Sequence, residues 1–217
     1  VNRRGAERPG RGVIVLAGED ENDCKILAEI IRAHHPGLGN SRIVRINDPV
    51  RLKKKRGGDL ESSVRTLVGK AKGKALQQKG PLVAFAVHED LDGYTDDRYL
   101  AVRKTVAAEL DRQCPADSAY ALAAWESEGW LLLFPEAFRH AHPKWKIPAQ
   151  LRGKDTGLMN DPKGKLKREL KSPPFRESEG PLIAQEAAKH GLLTAPVGQN
   201  RSHADLLADL GRWTARR

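Results

Sequence analysis

The chain has 217 residues, enough for one large domain with a substantial core, and no apolar run approaches the roughly 18 residues of a membrane span. Hydrophobic residues make up 39% and charged residues 30%, which excludes a membrane-embedded or wholly disordered chain. With 38 Lys+Arg against 28 Asp+Glu the formal charge is +10, a preference for polyanions that names no particular one.

Residues 1–11 hold four Arg and one Glu among Gly and Pro, with no apolar stretch of the kind a signal peptide carries, so they read as a basic, disordered tail. VIVLA at 13–17 is a continuous apolar, β-branched run, the pattern of a strand buried on both faces. Gly18 and an acid cluster follow, and then Ile26, Leu27, Ile30 and Ile31 recur at helical spacing over 21–33. SRIVRI at 41–46 predicts a second strand. Residues 48–59 form a basic loop whose Lys53-Lys54-Lys55-Arg56 run is either a solvated face or a phosphate contact.

Val64, Leu67, Val68, Ala71 and Ala75 mark the apolar stripe of a helix over 60–78. LVAFAV at 82–87 predicts a third strand, a helix over 96–113 follows with Tyr99, Val102, Val106 and Leu110 as its buried side, and AYALAA at 119–124 predicts a fourth strand. Strands alternating with helices favour an α/β fold with a parallel sheet of about four strands flanked by helices. Beyond Pro135 the prolines multiply, and short helices over 164–170, 181–190 and 202–213 read as a helical C-terminal extension packed on the sheet. The organisation expected is thus a tail (1–11), an α/β domain (12–135) and an extension (136–217). Two cysteines, Cys24 and Cys114, without CxxC spacing, read as buried small side chains in a reducing, cytoplasmic setting.

The charge is unevenly placed. Three stretches, 17–23, 88–97 and 126–128, hold 11 acids in 20 residues, and each lies just after a predicted strand. In an open parallel sheet the carboxyl ends of the strands share one edge, where ligands bind. Glu19/Asp23, Asp90/Asp92 and Glu126/Glu128 are therefore expected along that edge. Asp90 and Asp92, two apart in extended chain, are expected to point to one side, Glu126 and Glu128 likewise if extended, and Glu19 and Asp23 to share a face across a helix start. Clustered carboxylates repel unless protonated or neutralised, and oxygen-only ligation suits a hard cation such as Mg²⁺ or Mn²⁺. Two such ions can serve phosphodiester hydrolysis, with basic segments tracking the polyanion. His88, two before Asp90, reads as a structural or exposed histidine in preference to a base or ligand. His140 and His142 lack partners at ligand spacing, and Trp125 and Trp130 read as core.

The order of these motifs, an acid pair after the first strand, then Asp90-Leu91-Asp92-Gly93, then Glu126-Ser127-Glu128-Gly129-Trp130, resembles the Toprim domain. It is most similar to OLD-type Toprim nucleases and related small proteins of phage defence, over about residues 12–135. The resemblance implies a metal-dependent nuclease in which Glu19, Asp23, Asp90 and Asp92 hold a first ion and Glu126 and Glu128 a second. It assigns Glu19 a catalytic role and implies a catalytic lysine from Lys163, Lys165 and Lys167, with Lys165 taken as that residue. Nucleic acid, DNA or RNA, is expected at Lys53, Lys54, Lys55, Arg56, Lys163 and Lys167. The family's usual Glu-Gly is altered, since Gly18 precedes Glu19 and Asp20 stands in the glycine's place. The register on Glu19 is preferred to one that puts Ala17 there, because it also places Asp23 and Leu27. No GxxxxGK[ST] loop is present, so any ATPase is expected as a separate partner, and no membrane is expected. The alternatives are a non-catalytic nucleic-acid- or partner-binding subunit with a degenerate site, and phosphoryl transfer on a small substrate.

Overall fold

The computed structural model of the chain describes residues 11–214, so the expected basic tail lies outside the described residues except for Arg11. Four strands, β1 (Val13–Ala17), β2 (Arg42–Arg45), β3 (Leu82–Asp90) and β4 (Asp117–Ala123), form one all-parallel sheet in the order β2-β1-β3-β4. The helices are α1 (Glu21–His34), α2 (Gly57–Gln77), α3 (Asp97–Gln113), α4 (Glu128–Leu131), α5 (Pro135–Ala141), α6 (Pro162–Glu169), α7 (Gly180–Lys189) and α8 (Arg201–Gly211). The fold is α/β, as the alternation of apolar runs and amphipathic stretches predicts.

Strand alternation divides the core into two layers. Ile14, Leu16, Ala84, Ala86, Ala119, Ala121 and Ala123 face a layer built with α1, α4, α5, α7 and α8. Val13, Val15, Phe85, Val87, Tyr120 and Leu122 face the layer of α2 and α3. The small alanines on the first face let α1 and α8 lie close to the sheet. Within that layer α7 packs on α1 and α8 lies along β4.

Helix starts are fixed by side chains. Asp20 caps α1, accepting from the backbone N–H of Asn22 (2.6 Å) and Asp23 (3.0 Å). Asp96 caps α3 through Tyr99 N–H, Asp161 caps α6 through Gly164 N–H, and Asn200 caps α8 through His203 N–H. Gly18 permits the tight passage from β1 into α1, because a Cβ there would stand 2.9 Å from Cys24 Sγ.

One strand and one helix depart from expectation. The third runs through Asp90 instead of stopping at Val87, pairing His88 with Ala121 and Asp90 with Ala123. Polar residues can end a buried strand when its pairing continues beside another strand, and β4 supplies that edge. The second helix begins at Gly57, three residues early, and takes the end of the basic loop with it.

Candidate metal centre

The strand order reverses direction between β1 and β3, since the chain leaves β1 for β2 on one side and returns to β3 on the other. Such a switch point opens a crevice at the carboxyl ends of the two strands. Glu19 and Asp23 follow β1, and His88 and Asp90 end β3, so the crevice is lined by these four side chains. The segment after β4 brings Glu126, Ser127 and Glu128 alongside.

Strand alternation sends His88 and Asp90 to the α1 side of the sheet and Glu89 to the other. His88 is fully buried, with Nδ1 3.7 Å from Asp23 Oδ2 and Nε2 3.7 Å from Asp90 Oδ1, and its ring meets Trp130 edge to face. One donor atom from each of Asp23, His88 and Asp90 lies within 4.8 Å of the others. Neither nitrogen of His88 nor Oδ1 of Asp90 has a hydrogen-bond partner among the described residues. Buried polar atoms seldom stay unpaired, and one His88 nitrogen with one carboxylate oxygen from each of Asp23 and Asp90 would fit a cation between them. His88 is therefore buried in the crevice, which rules out the exposed histidine that the sequence also allowed.

Charge reinforces the geometry. Burial, and next the neighbouring charges of Asp23, Glu128 and Glu19, push the Asp90 carboxyl well above its ordinary value. Burial pushes Glu128 up to about 7 against the pull of Lys163. Asp23 is buried too, and Ser127 Oγ donates to its Oδ1 at 2.7 Å. These carboxylates and one imidazole suit Mn²⁺ or Mg²⁺ in composition, with Asp23, His88 and Asp90 as the residues that would hold the ion and Glu128 as a neighbouring charge.

Asp92 does not share this pocket. The strand ends at Asp90, Asp92 takes a left-handed backbone (φ 56°), and its side chain is 70% exposed. The expectation that Asp90 and Asp92 point together fails because the extended chain on which it depends stops between them. Asp92 turns instead to Lys53, whose Nζ lies 3.0 Å away. The same ammonium lies 2.9 Å from Glu19 Oε1 and donates to the Asp90 carbonyl. Only 9% exposed, Lys53 is part of the crevice and unavailable as an open phosphate contact. Burial disfavours its charged form, but Glu19 and Asp92 outweigh that and hold it above the ordinary lysine value. Lys54 and Arg56 of the same run are exposed, while Lys55 donates to Ser63 Oγ.

Glu126 and Glu128 are not in extended chain either. Ser127 is helical and Glu128 opens α4, so the two carboxylates separate. Glu126 Oε2 accepts from Lys163 N–H at 3.1 Å, and Lys163 Nζ lies 3.6 Å from Glu126 Oε1 and 3.8 Å from Glu177 Oε1. Burial works against the Lys163 ammonium, but Glu128, Glu126 and Glu177 raise it above the ordinary value. Lys165 points elsewhere, donating to Asn160 Oδ1, and Lys167 pairs with Glu177 on the surface. Of the three lysines, Lys163 is the one beside the carboxylates.

Glu89 escaped the sequence reading. It is fully buried, and both its oxygens accept from Leu52 N–H (2.9 and 3.0 Å) and Lys53 N–H (3.2 and 3.1 Å), while Tyr120 Oη donates to Oε2 at 2.9 Å. Burial raises its carboxyl against the lowering effect of these donors. Its signal was present in the alternation: an acid continuing the stripe Phe85, Val87 toward Leu91 must find buried donors.

The Ser202 segment supports the site from behind. Ser202 Oγ accepts from Trp130 Nε1 (2.8 Å) and Ala124 N–H (3.0 Å) and donates to Asn200 Oδ1 (2.7 Å). Trp130 is core as expected. Trp125 is half-buried with φ 56° and lies against Tyr94, so it serves the turn between β4 and Glu126. His140 stacks on His190, and His142 pairs with Glu179, both away from the crevice. No family model matches the chain, and no curated protein or solved structure matches it.

Proposed function

We propose that the chain is a divalent-metal-dependent hydrolase of nucleic-acid phosphodiesters, a nuclease of the kind its Toprim-like motifs imply. The observation that carries this reading is the convergence of Asp23, His88 and Asp90 at the switch point, with buried atoms that have no partner. A bound Mg²⁺ or Mn²⁺ would supply the Lewis acidity that neutralises a phosphate oxygen and eases ionisation of water. The chain's own groups do the remainder. Asp23 and Asp90 would hold the ion with His88, Ser127 orients Asp23, and Lys163 stands ready to stabilise charge on a phosphate or leaving oxygen.

The surroundings suit a long polyanion better than a small phosphate ester. Two grooves of about 410 and 470 Å³ flank the basic loop, with Arg51, Lys54, Lys55, Arg56 and Lys70 among their linings. Contacts of this kind would make binding fall steeply with salt. A separately encoded ATPase and a role in phage defence belong to the same reading through the resemblance. Among the described residues no helix is long and apolar enough to cross a membrane.

The test is cleavage of plasmid DNA and of structured RNA with Mg²⁺ or Mn²⁺, comparing the wild type, Asp90→Ala and an EDTA control. Metal-dependent cleavage lost in Asp90→Ala supports the proposal, and cleavage that survives both substitution and chelation refutes it. One observation favours a second reading, a binding subunit without activity: Lys53 already neutralises Glu19 and Asp92. That reading expects salt-dependent nucleic-acid binding with no saturable Mn²⁺ uptake.

A further inference from the structure

We propose that Lys53, fixed from behind by Glu89 and Tyr120, is a built-in cation that takes the place of a second metal, so that the protein holds one divalent ion at Asp23, His88 and Asp90. The inference rests on the metal-dependent reading of the crevice and deepens it by setting the number of ions.

Six carboxylates gather here, but they fall into groups with different counter-charges. Asp23 and Asp90 share the deep pocket with His88, whose nitrogens have no partner. Glu126 stands beside Lys163, which also acts on Glu128. Glu19 and Asp92 stand outside the pocket on either side of the Lys53 ammonium, at 2.9 and 3.0 Å. An ammonium carries three N–H groups, and the Asp90 carbonyl provides a third oxygen. Lys53 is thus ringed by oxygens from the ends of two strands, as a metal at the same place would be. A second ion bound by Glu19 and Asp92 must first displace it.

Displacement is opposed from the other face of the sheet. Glu89 binds the backbone N–H of Lys53 itself and of Leu52, and Tyr120 holds the Glu89 carboxylate in turn. Adjacent residues of one strand therefore act on the two ends of one lysine, Glu89 on its main chain and the Asp90 carbonyl on its ammonium. A loop fixed this way presents a side chain of low positional freedom, which is the requirement for a preorganised charge. Glu89 and Tyr120 are positioning residues and touch no ion.

The experiment is Mn²⁺ binding to the full chain by calorimetry, with electron paramagnetic resonance to detect coupled ion pairs. The wild type is expected to bind one ion tightly and to show no coupled pair. Lys53→Met should gain a second ion at least about tenfold more tightly than the wild type, with a coupled-pair signal, because a positive charge in direct contact with two ligands is gone. Lys53→Arg, which keeps the charge, should still bind one. Glu89→Gln alters no ligand yet should strengthen uptake of the second ion, with circular dichroism showing that it remains folded. Two ions bound equally by wild type and Lys53→Met would overturn the assignment of Lys53 while leaving the metal-dependent reading standing. No ion bound by either protein would overturn both.

Discussion

Replacing Glu128 by glutamine should flatten the pH dependence of stability in the metal-free protein. The folded state holds the Glu128 carboxyl near 7 because the group is buried, whereas the unfolded chain releases the proton at the ordinary 4.5. Between those values the folded state binds more protons, so stability is greatest below 4.5 and falls as pH rises toward 7. Moving one carboxyl from 4.5 to about 7 corresponds to a loss of about 3 kcal/mol at 1.36 kcal/mol for each pH unit. For a chain of this size that is a fall in melting temperature of roughly 6 to 12 °C. Asp90, also raised by burial, adds a slope that Glu128→Gln leaves in place, so the variant should be flatter without being flat. Urea unfolding at several pH values from 5 to 8 in EDTA measures both slopes. Millimolar Mn²⁺ at pH 8 should restore the wild type by offsetting the charge of carboxylates that have lost their protons. Identical pH slopes for wild type and variant in EDTA would refute the argument from burial.

Lys163→Ala should lower cleavage at least about tenfold while Lys165→Ala leaves it near wild type, since only the former stands beside the carboxylates; steady-state kinetics on one substrate decides it. Ser202→Ala strands the indole N–H of Trp130 and the amide of Ala124, and should cost about 2 to 4 kcal/mol, read from chemical denaturation. Asp20→Ala removes the α1 cap and should cost about 1 kcal/mol, whereas Asp20→Gly should cost only a few tenths. Equal Mn²⁺ affinity in wild type and Asp20→Gly would agree with a capping role, and a large loss would make Asp20 a ligand.

The apolar runs of β1, β3 and β4 and the stripes of α1, α2 and α3 were legible because burial on two faces, or on one side of a helix, writes a period into the sequence. Glu19, Asp23 and Asp90 were brought to one edge by parallel topology alone. What period could not convey was the last turn of geometry. Asp92 departs from Asp90 because pairing with β4 ends there, and Glu126 and Glu128 part because a helix starts between them. Lys53 looked like any member of a basic run, since the hold on its loop comes from Glu89, which is 36 positions further along on β3. His88 and Glu89 were hidden by a similar cause: charged neighbours made the end of β3 read as a loop. Asp20, which had looked like damage to the Glu-Gly element, is the residue that starts α1.

Ser202 gives the site a history as well as a shape. The amide of Ala124, where β4 hands over to the segment bearing Glu126 and Glu128, is held by a hydroxyl 78 residues later in the chain. At a synthesis rate of 5 to 20 residues each second, roughly 4 to 16 s separate the appearance of the two partners on the ribosome. During that interval the sheet can form, but the acidic turn lacks its final anchor. A growing chain would therefore leave the turn bearing Glu126 and Glu128 without its anchor until α8 arrives, so that on the proposed nuclease reading activity would have to wait for α8.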